Sequence, residues 1–279
     1  MAENLRTLQR CILDIALEFK RICEKNNLKY FLAYGSLLGA VRHGGFIPWD
    51  DDMDVGMPRE DYEKFLTICE SELGDEFFFQ TCETDKGHGF GYAKIRLNGT
   101  VMKEDYAENS CQHNGIFLDI FPYDAMPENK LLQKIQFRMY KCIKWAALGK
   151  TDYDFVVPKR RRFANAMKIL FFPFKRNTLC KMENSVCRIF EKSGTDKLIN
   201  MEWYRGVLEK RDLENMKTLK FEGYDFAVPN RYHEHLTSIY KDYMTPPPVE
   251  KRGLQHTMVE CSKGDYVIKN NAPEEIEEF

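Results

Sequence analysis

Four aspartates, Asp50, Asp51, Asp52 and Asp54, fall within five residues of the stretch FIPWDDDMDVGMPRED. Like charges this close repel one another, so the cluster calls for a compensating positive charge. If the segment is a strand, side chains alternate, and Asp50, Asp52 and Asp54 share one face while Asp51, Met53 and Val55 share the other. Carboxylates repeating on one face about 7 Å apart could ligate one or two hard cations through oxygen. A solvated acidic loop is the plainest alternative. An EF-hand calcium loop fits poorly, because its sixth and twelfth positions would hold Val55 and Asp61 in place of Gly and Glu.

Upstream, Gly35-Ser36 separates the aromatic run KYFLAY (29–34) from SLLGAVRH (36–43). A strand, a Gly-Ser turn and a helix in that order aim backbone N–H groups and the positive helix end at an anion, and Ser36 adds a hydroxyl donor. A phosphate cradle followed by a D-x-D strand unites the two parts that phosphoryl transfer needs. Asp119, inside the apolar run IFLDIF, is a further candidate: a carboxylate buried there is costly without a cation or a hydrogen-bond partner, unless it faces solvent at a strand end. Lys94 and Arg96 share a strand face and could neutralise a pyrophosphate or face solvent. Arg42 is placed near the same anion. His43 reads as a surface residue, Trp49 as a base-stacking ring or a core anchor, and Asp124, in the turn Pro-Tyr-Asp, as structural.

These residues need elements to hold them. Leu5, Leu8, Ile12, Ile15, Phe19 and Ile22 recur at spacings of three and four, which predicts an amphipathic helix over 3–25. The pattern predicts strands at 29–34, 49–57, 77–81, 92–97 and 115–121, and helices at 36–43, 59–73, 131–148 and 179–192. The expected architecture is α/β of the α+β kind: a mixed-sheet catalytic core over 1–127 and a mainly helical region over 128–279 packed on it as one unit.

The segment GSLLGAVRHGGFIPWDDDMDVGM closely resembles the signature of the LicD family, which includes fukutin and fukutin-related protein and is built on the nucleotidyltransferase fold. YAKIRLNGT (92–100), GIFLDIFPYDAMP (115–127) and FEGYDFAVPNRYHEHLTSIYKDYMTPPP (221–248), with the later His256, resemble further family segments. The resemblance implies transfer of a phospho-alcohol, phosphocholine foremost or a polyol phosphate, from a CDP-linked donor to a sugar hydroxyl of a cell-surface glycan or its lipid-linked precursor, with release of CMP. It implies Mg²⁺, two ions with Mn²⁺ as a substitute. Carried onto this chain, it puts Gly35 and Ser36 at the donor phosphates, Asp52 and Asp54 on the metal with Asp50 in phase to join them, and Asp119 as the third carboxylate. Arg42, Lys94, Arg96 and Trp49 complete the expected substrate contacts. A nucleotidyltransferase that moves the NMP and releases pyrophosphate, or a non-catalytic relative that binds a glycan or a membrane, stays open.

Composition sets outer bounds. Hydrophobic residues at 43% and charged residues at 30% describe an ordinary globular protein rather than a disordered one. The start MAENLRTLQR has no secretory pattern and the apolar run ILFFPF is far shorter than the roughly 20 residues of a spanning helix, so a cytoplasmic protein is expected. Net charge is −2, yet residues 155–182 carry eight Lys/Arg and no acid. With its aromatics clustered rather than interleaved, this segment reads as a core-packed helix with a basic face or as a contact with the inner face of the membrane, and no nucleic-acid partner is expected. Nine cysteines without a CxxC pair read as reduced thiols.

Overall fold

The computed structural model describes residues 2–154, 158–254, 256, 258–263 and 266–269. Helix α1 (Ala2–Lys25) carries the expected apolar stripe, with Leu8, Ile12, Ile15, Phe19 and Ile22 wholly buried. Each such side chain contributes about 1.5–3 kcal/mol of burial. After strand β1 (Phe31–Leu32) come helix α2 (Tyr34–His43), strand β2 (Asp54–Pro58) and helix α3 (Arg59–Glu72). Strands β3 (Phe77–Gln80), β4 (Ala93–Leu97), β5 (Thr100–Glu104) and β6 (Phe117–Ala125) follow.

The main sheet runs β1-β2-β6-β4-β3. Only β2 and β6 are parallel, and their register sets Asp54 directly beside Asp119. The other pairings on this path are antiparallel, as in the expected mixed sheet. Strand β6 is buried along its whole length and is the centre of the molecule. Gly56 in β2 lies where a β-carbon would come within 2.5 Å of the Phe31 ring and 2.8 Å of the Tyr123 ring, so no larger residue fits between β2 and these aromatics.

Beyond residue 127 the chain forms helices α4 (Lys130–Leu148), α5 (Pro158–Leu170) and α6 (Arg176–Cys187), and then alternates short strands with helices. Strands β7 (Lys197–Ile199) and β8 (Leu208–Glu209) extend the main sheet through β6. Helix α7 (Lys210–Glu214), the hairpin of β9 (Lys217–Phe221) and β10 (Tyr224–Val228), and helix α8 (Tyr232–Tyr240) follow. Strands β11 (Met258–Lys263) and β12 (Tyr266–Lys269) form a second sheet with β5. Residues 155–157 of the basic segment and 270–279 of the C-terminal region lie outside the described residues.

Three local expectations need correction. The strand at 29–34 contracts to two residues because Tyr34 already opens α2, so Gly35-Ser36 is the first turn of the helix rather than a linker before it. The strand at 49–57 begins only at Asp54, since Asp has low strand propensity and Asp50 N bonds Ile47 O at 2.9 Å in a turn. The cysteines are not all reduced: Cys82 and Cys180 are disulfide-bonded, and the fold joins the loop after β3 to α6 across 98 positions that no local spacing could reveal.

Candidate active site

The backbone of Asp54 is fixed on both sides. Its N–H donates to Ser36 Oγ at 2.8 Å and its carbonyl accepts from Ala33 N at 3.0 Å, which locks the first turn of α2 to the start of β2. Ser36 is buried, is not among the residues that line the cleft, and spends its hydroxyl on this clamp. Gln9 of α1, which the sequence gave no reason to single out, is buried and donates to the carbonyls of Ile47 at 3.4 Å and Asp50 at 3.0 Å. It holds the aspartate loop from below.

Above these clamps opens a cleft of about 610 Å³ whose wall includes Gly35, Arg42, Trp49, Asp50, Asp52 and Asp54. The volume is in the range of small-molecule sites. Ala33 offers α2 no side-chain cap, and Gly35 approaches so closely that a β-carbon there would lie 3.0 Å from Asp50 Oδ2. The helix's positive end and the acids therefore face the same space. Arg42 lines the cleft and donates to Tyr243 O at 3.0 Å. Trp49 is buried yet lines the cleft, and the Arg252 guanidinium lies 5.0 Å from its ring centre.

The carboxylates answer the repulsion problem in two ways. Burial, and then the neighbouring Asp52, Asp51 and Asp54, hold the Asp50 carboxyl well above the usual range. Burial likewise raises Asp54, helped by Asp52 and Asp119, and raises Asp52 to about 6 against the opposing field of His256. Positive charge comes from behind. Asp51 does turn away from the cleft, as alternation suggested, but into the protein: it is fully buried and accepts from His256 N at 3.1 Å and Nδ1 at 3.3 Å. Burial alone would lower the His256 pKa, yet the Asp51 hydrogen bond and the fields of Asp51, Asp52 and Glu104 raise it well above the usual imidazole value. His256 itself lines the cleft.

Asp119 stands beside Asp54 through the β2–β6 register, with Lys94 Nζ 2.7 Å from its Oδ1. Burial raises its pKa and Lys94 opposes the rise. In this structure the Lys94 charge is paired with Asp119. Arg96 is 1% exposed, donates to Gln80 Oε1 and Gly115 O at 2.6 Å each, and is absent from the cleft wall. It is a structural residue. Asp124 is structural as well, held by Arg59 through two bonds of 2.7 Å.

Oxygen atoms of Asp50, Asp51 and Asp52 lie within 4.8 Å of one another. Asp50, Asp52 and Asp54 line the cleft, while Asp119, beside Asp54 in the sheet, is buried and not among the lining residues; the raised proton affinity of these four carboxylates is what a hard divalent cation would relieve. The cleft is also lined by residues that sequence reasoning did not single out: Trp203, Arg205, Tyr240, Tyr243 and Lys251. The aromatic-basic run WYR at 203–205 and the family-like segment 221–248, which contains Tyr240 and Tyr243, were the available signals.

Residues 27–147 match the family described as LicD/FKTN/FKRP, nucleotidyltransferase domain. The lipopolysaccharide cholinephosphotransferase LicD of Haemophilus influenzae is 31% identical over 265 residues, 91% of this chain and 96% of its own length. The ribitol 5-phosphate transferase FKRP of Mus musculus is 33% identical over 125 residues, 45% of this chain and 22% of its own length. The FKRP of Homo sapiens is 32% identical over the same number of residues and the same shares. The family match contains Gly35, the aspartate loop and Asp119, and it ends before Trp203, Arg205, Tyr240 and His256.

Proposed function

The chain belongs to the LicD family and is a LicD-like phosphotransferase, and from that premise we propose that it moves a phospho-alcohol from a CDP-linked donor to a sugar hydroxyl and releases CMP. The observation that supports this best is the convergence of the capless α2 terminus with Asp50, Asp52 and Asp54 on one cleft. Asp52, Asp54 and Asp119, with Asp50, would hold Mg²⁺. Bound there, the ion would supply charge stabilisation for the donor pyrophosphate in an in-line displacement.

The remaining steps use the chain's own groups. The first turn of α2 and Arg42 bind and orient the donor phosphates through backbone N–H groups and a guanidinium. Trp49 and Arg252 border the side where the base rests. The acceptor hydroxyl gives its proton to Asp50 or Asp119, a transfer that needs a carboxylate within about 3 Å. Asp50 is the better placed of the two, because it lines the cleft, whereas Asp119 is not among the lining residues and is paired with Lys94.

A panel of CDP-linked alcohols, including choline and ribitol, assayed for divalent-dependent CMP release tests the reading. CMP release with at least one of them is expected, with loss on chelation. Pyrophosphate as the product, or turnover indifferent to chelation, would replace this reading with the nucleotidyltransferase or with metal-free chemistry.

The basic segment supports a lipid-linked acceptor. Helix α5 buries only Ala164, while Ile169 is 75% exposed, Leu170 68% and Phe172 79%, and Lys159, Arg160, Arg161, Arg162 and Lys168 are exposed around them. An anionic bilayer surface complements both features. No helix among the described residues is long and apolar enough to cross a membrane. Vesicles containing phosphatidylglycerol should sediment the protein at low salt and lose it at high salt, and Phe172→Glu should cut the bound fraction severalfold. Absence of sedimentation at low salt would remove this contact.

A further inference from the structure

Tyr34, Trp203 and Tyr240 come from separate parts of the chain and meet on one wall of the cleft, and a cation already sits among them. The Arg205 guanidinium carbon lies 5.7 Å from the Tyr34 ring centre, 5.1 Å from that of Trp203 and 5.6 Å from that of Tyr240. The Tyr34 and Trp203 ring centres are 5.9 Å apart. All four residues line the cleft with Asp50, Asp52 and Asp54. Tyr34 is kept there at a backbone φ of 44°, a left-handed conformation that costs a residue with a β-carbon of order 1–3 kcal/mol. Arg205 sits between Tyr204 at φ 48° and Gly206 at φ 69°, a kink that returns its side chain over the cleft.

We propose that Tyr34, Trp203 and Tyr240 form a receptor for the quaternary ammonium head of the transferred alcohol, and that Arg205 occupies it until a cationic donor displaces it. This rests on reading the cleft as the donor site and goes further, by assigning the residues that distinguish a cationic alcohol from a neutral one. A ring face attracts a cation within about 6 Å, by roughly 0.5–1 kcal/mol when exposed and about 2 or more when desolvated. A trimethylammonium has no N–H to satisfy and so loses little on leaving water for three rings and nearby carboxylates. Arg205 is solvent-exposed, so its displacement exposes little new surface. Once displaced, its forked donors suit the adjoining diphosphate. A polyol phosphate carries no cation and would leave Arg205 in place. The aromatic wall thus separates choline-type from polyol-type donors.

Tetramethylammonium, which has no phosphate, isolates the receptor from every phosphate contact. Its binding to the full chain can be followed by ligand NMR, with CMP as a control probe. Trp203→Leu, at a half-exposed position that tolerates truncation, should weaken tetramethylammonium binding at least fivefold and leave CMP binding unchanged. Trp203→Phe should restore most of the affinity. Arg205→Ala should strengthen tetramethylammonium binding severalfold, because the internal competitor is gone. Unchanged tetramethylammonium affinity in Trp203→Leu, an equal loss for CMP, or weaker binding in Arg205→Ala would overturn the receptor. If the wild type turned over CDP-linked alcohols while any of these results held, the receptor alone would fall. If it turned over none of them, the reading of the cleft as a donor site would fall first and the receptor with it.

Discussion

Asp52→Asn is expected to abolish turnover of a CDP-linked donor and at the same time to make the protein more stable. The catalytic loss follows from removing one charge and one oxygen ligand from the set that would hold the cation, and should be on the order of a thousandfold or more, the scale of losing about 4 kcal/mol of transition-state stabilisation. The gain in stability follows from linkage. Asp52 has a pKa of about 6 in the folded protein against the ordinary 3.8, mainly because it is buried. Between those values the folded state binds the extra proton, so the Asp52 contribution is most favourable below about pH 4 and is lost as the pH rises to about 6. Above pH 6 the ionised carboxylate strains the fold, by about 2 kcal/mol once the part of the side chain open to the cleft is discounted. Asn cannot ionise and avoids that strain. Thermal melts without divalent ions at pH 5 and pH 7.5 should show the variant gaining on wild type at the higher pH. A variant with full activity, or one less stable than wild type at pH 7.5, would contradict this role for the loop.

Asp124→Asn should have the opposite signature, with large destabilisation and no direct effect on the cleft. Arg59 is 6% exposed and Asp124 2%, and two bonds of 2.7 Å join them at the point where α3 leaves β2 and β7 joins β6. Burial alone would disfavour the guanidinium charge, and Asp124 more than offsets it. Removing the carboxylate leaves a buried cation with only Glu63 and Asn184, each 3.1 Å away, and a loss of about 3–4 kcal/mol is expected. Replacing both partners with apolar residues, as in Arg59→Met with Asp124→Leu, should recover most of it. Urea unfolding at pH 7 measures both, and a single-variant loss below about 1 kcal/mol would mean that Arg59 is already satisfied without Asp124.

The residues that carry local signals were legible in the sequence. The stripe of α1, the Gly44 stop after α2 and the apolar runs of β4 and β6 follow from periodicity and turn chemistry. The grouping of Asp50, Asp52 and Asp54 on one wall was also foreseen, although a loop rather than a strand delivers the first two. What local pattern could not supply were partners distant in sequence. Lys94 and Arg96 looked equivalent on one strand face, and only the packing of β4 against β3 and β6 gives Lys94 to Asp119 and Arg96 to Gln80 and Gly115. Arg205, Trp203 and Tyr240 carried no recognisable spacing, because three rings become neighbours only after α8 and the loop following β7 fold over α2.

Asp51 and His256 join the aspartate loop to a segment 205 positions later in the chain. At ribosomal rates of roughly 5 to 20 residues per second, about 10 to 40 s pass between synthesis of the acids and synthesis of the histidine that balances them. During that interval Lys94 can already balance Asp119, but Asp51 has not yet met its histidine. The charge balance of the aspartate loop therefore waits on synthesis of the chain past His256, long after the acids themselves have emerged.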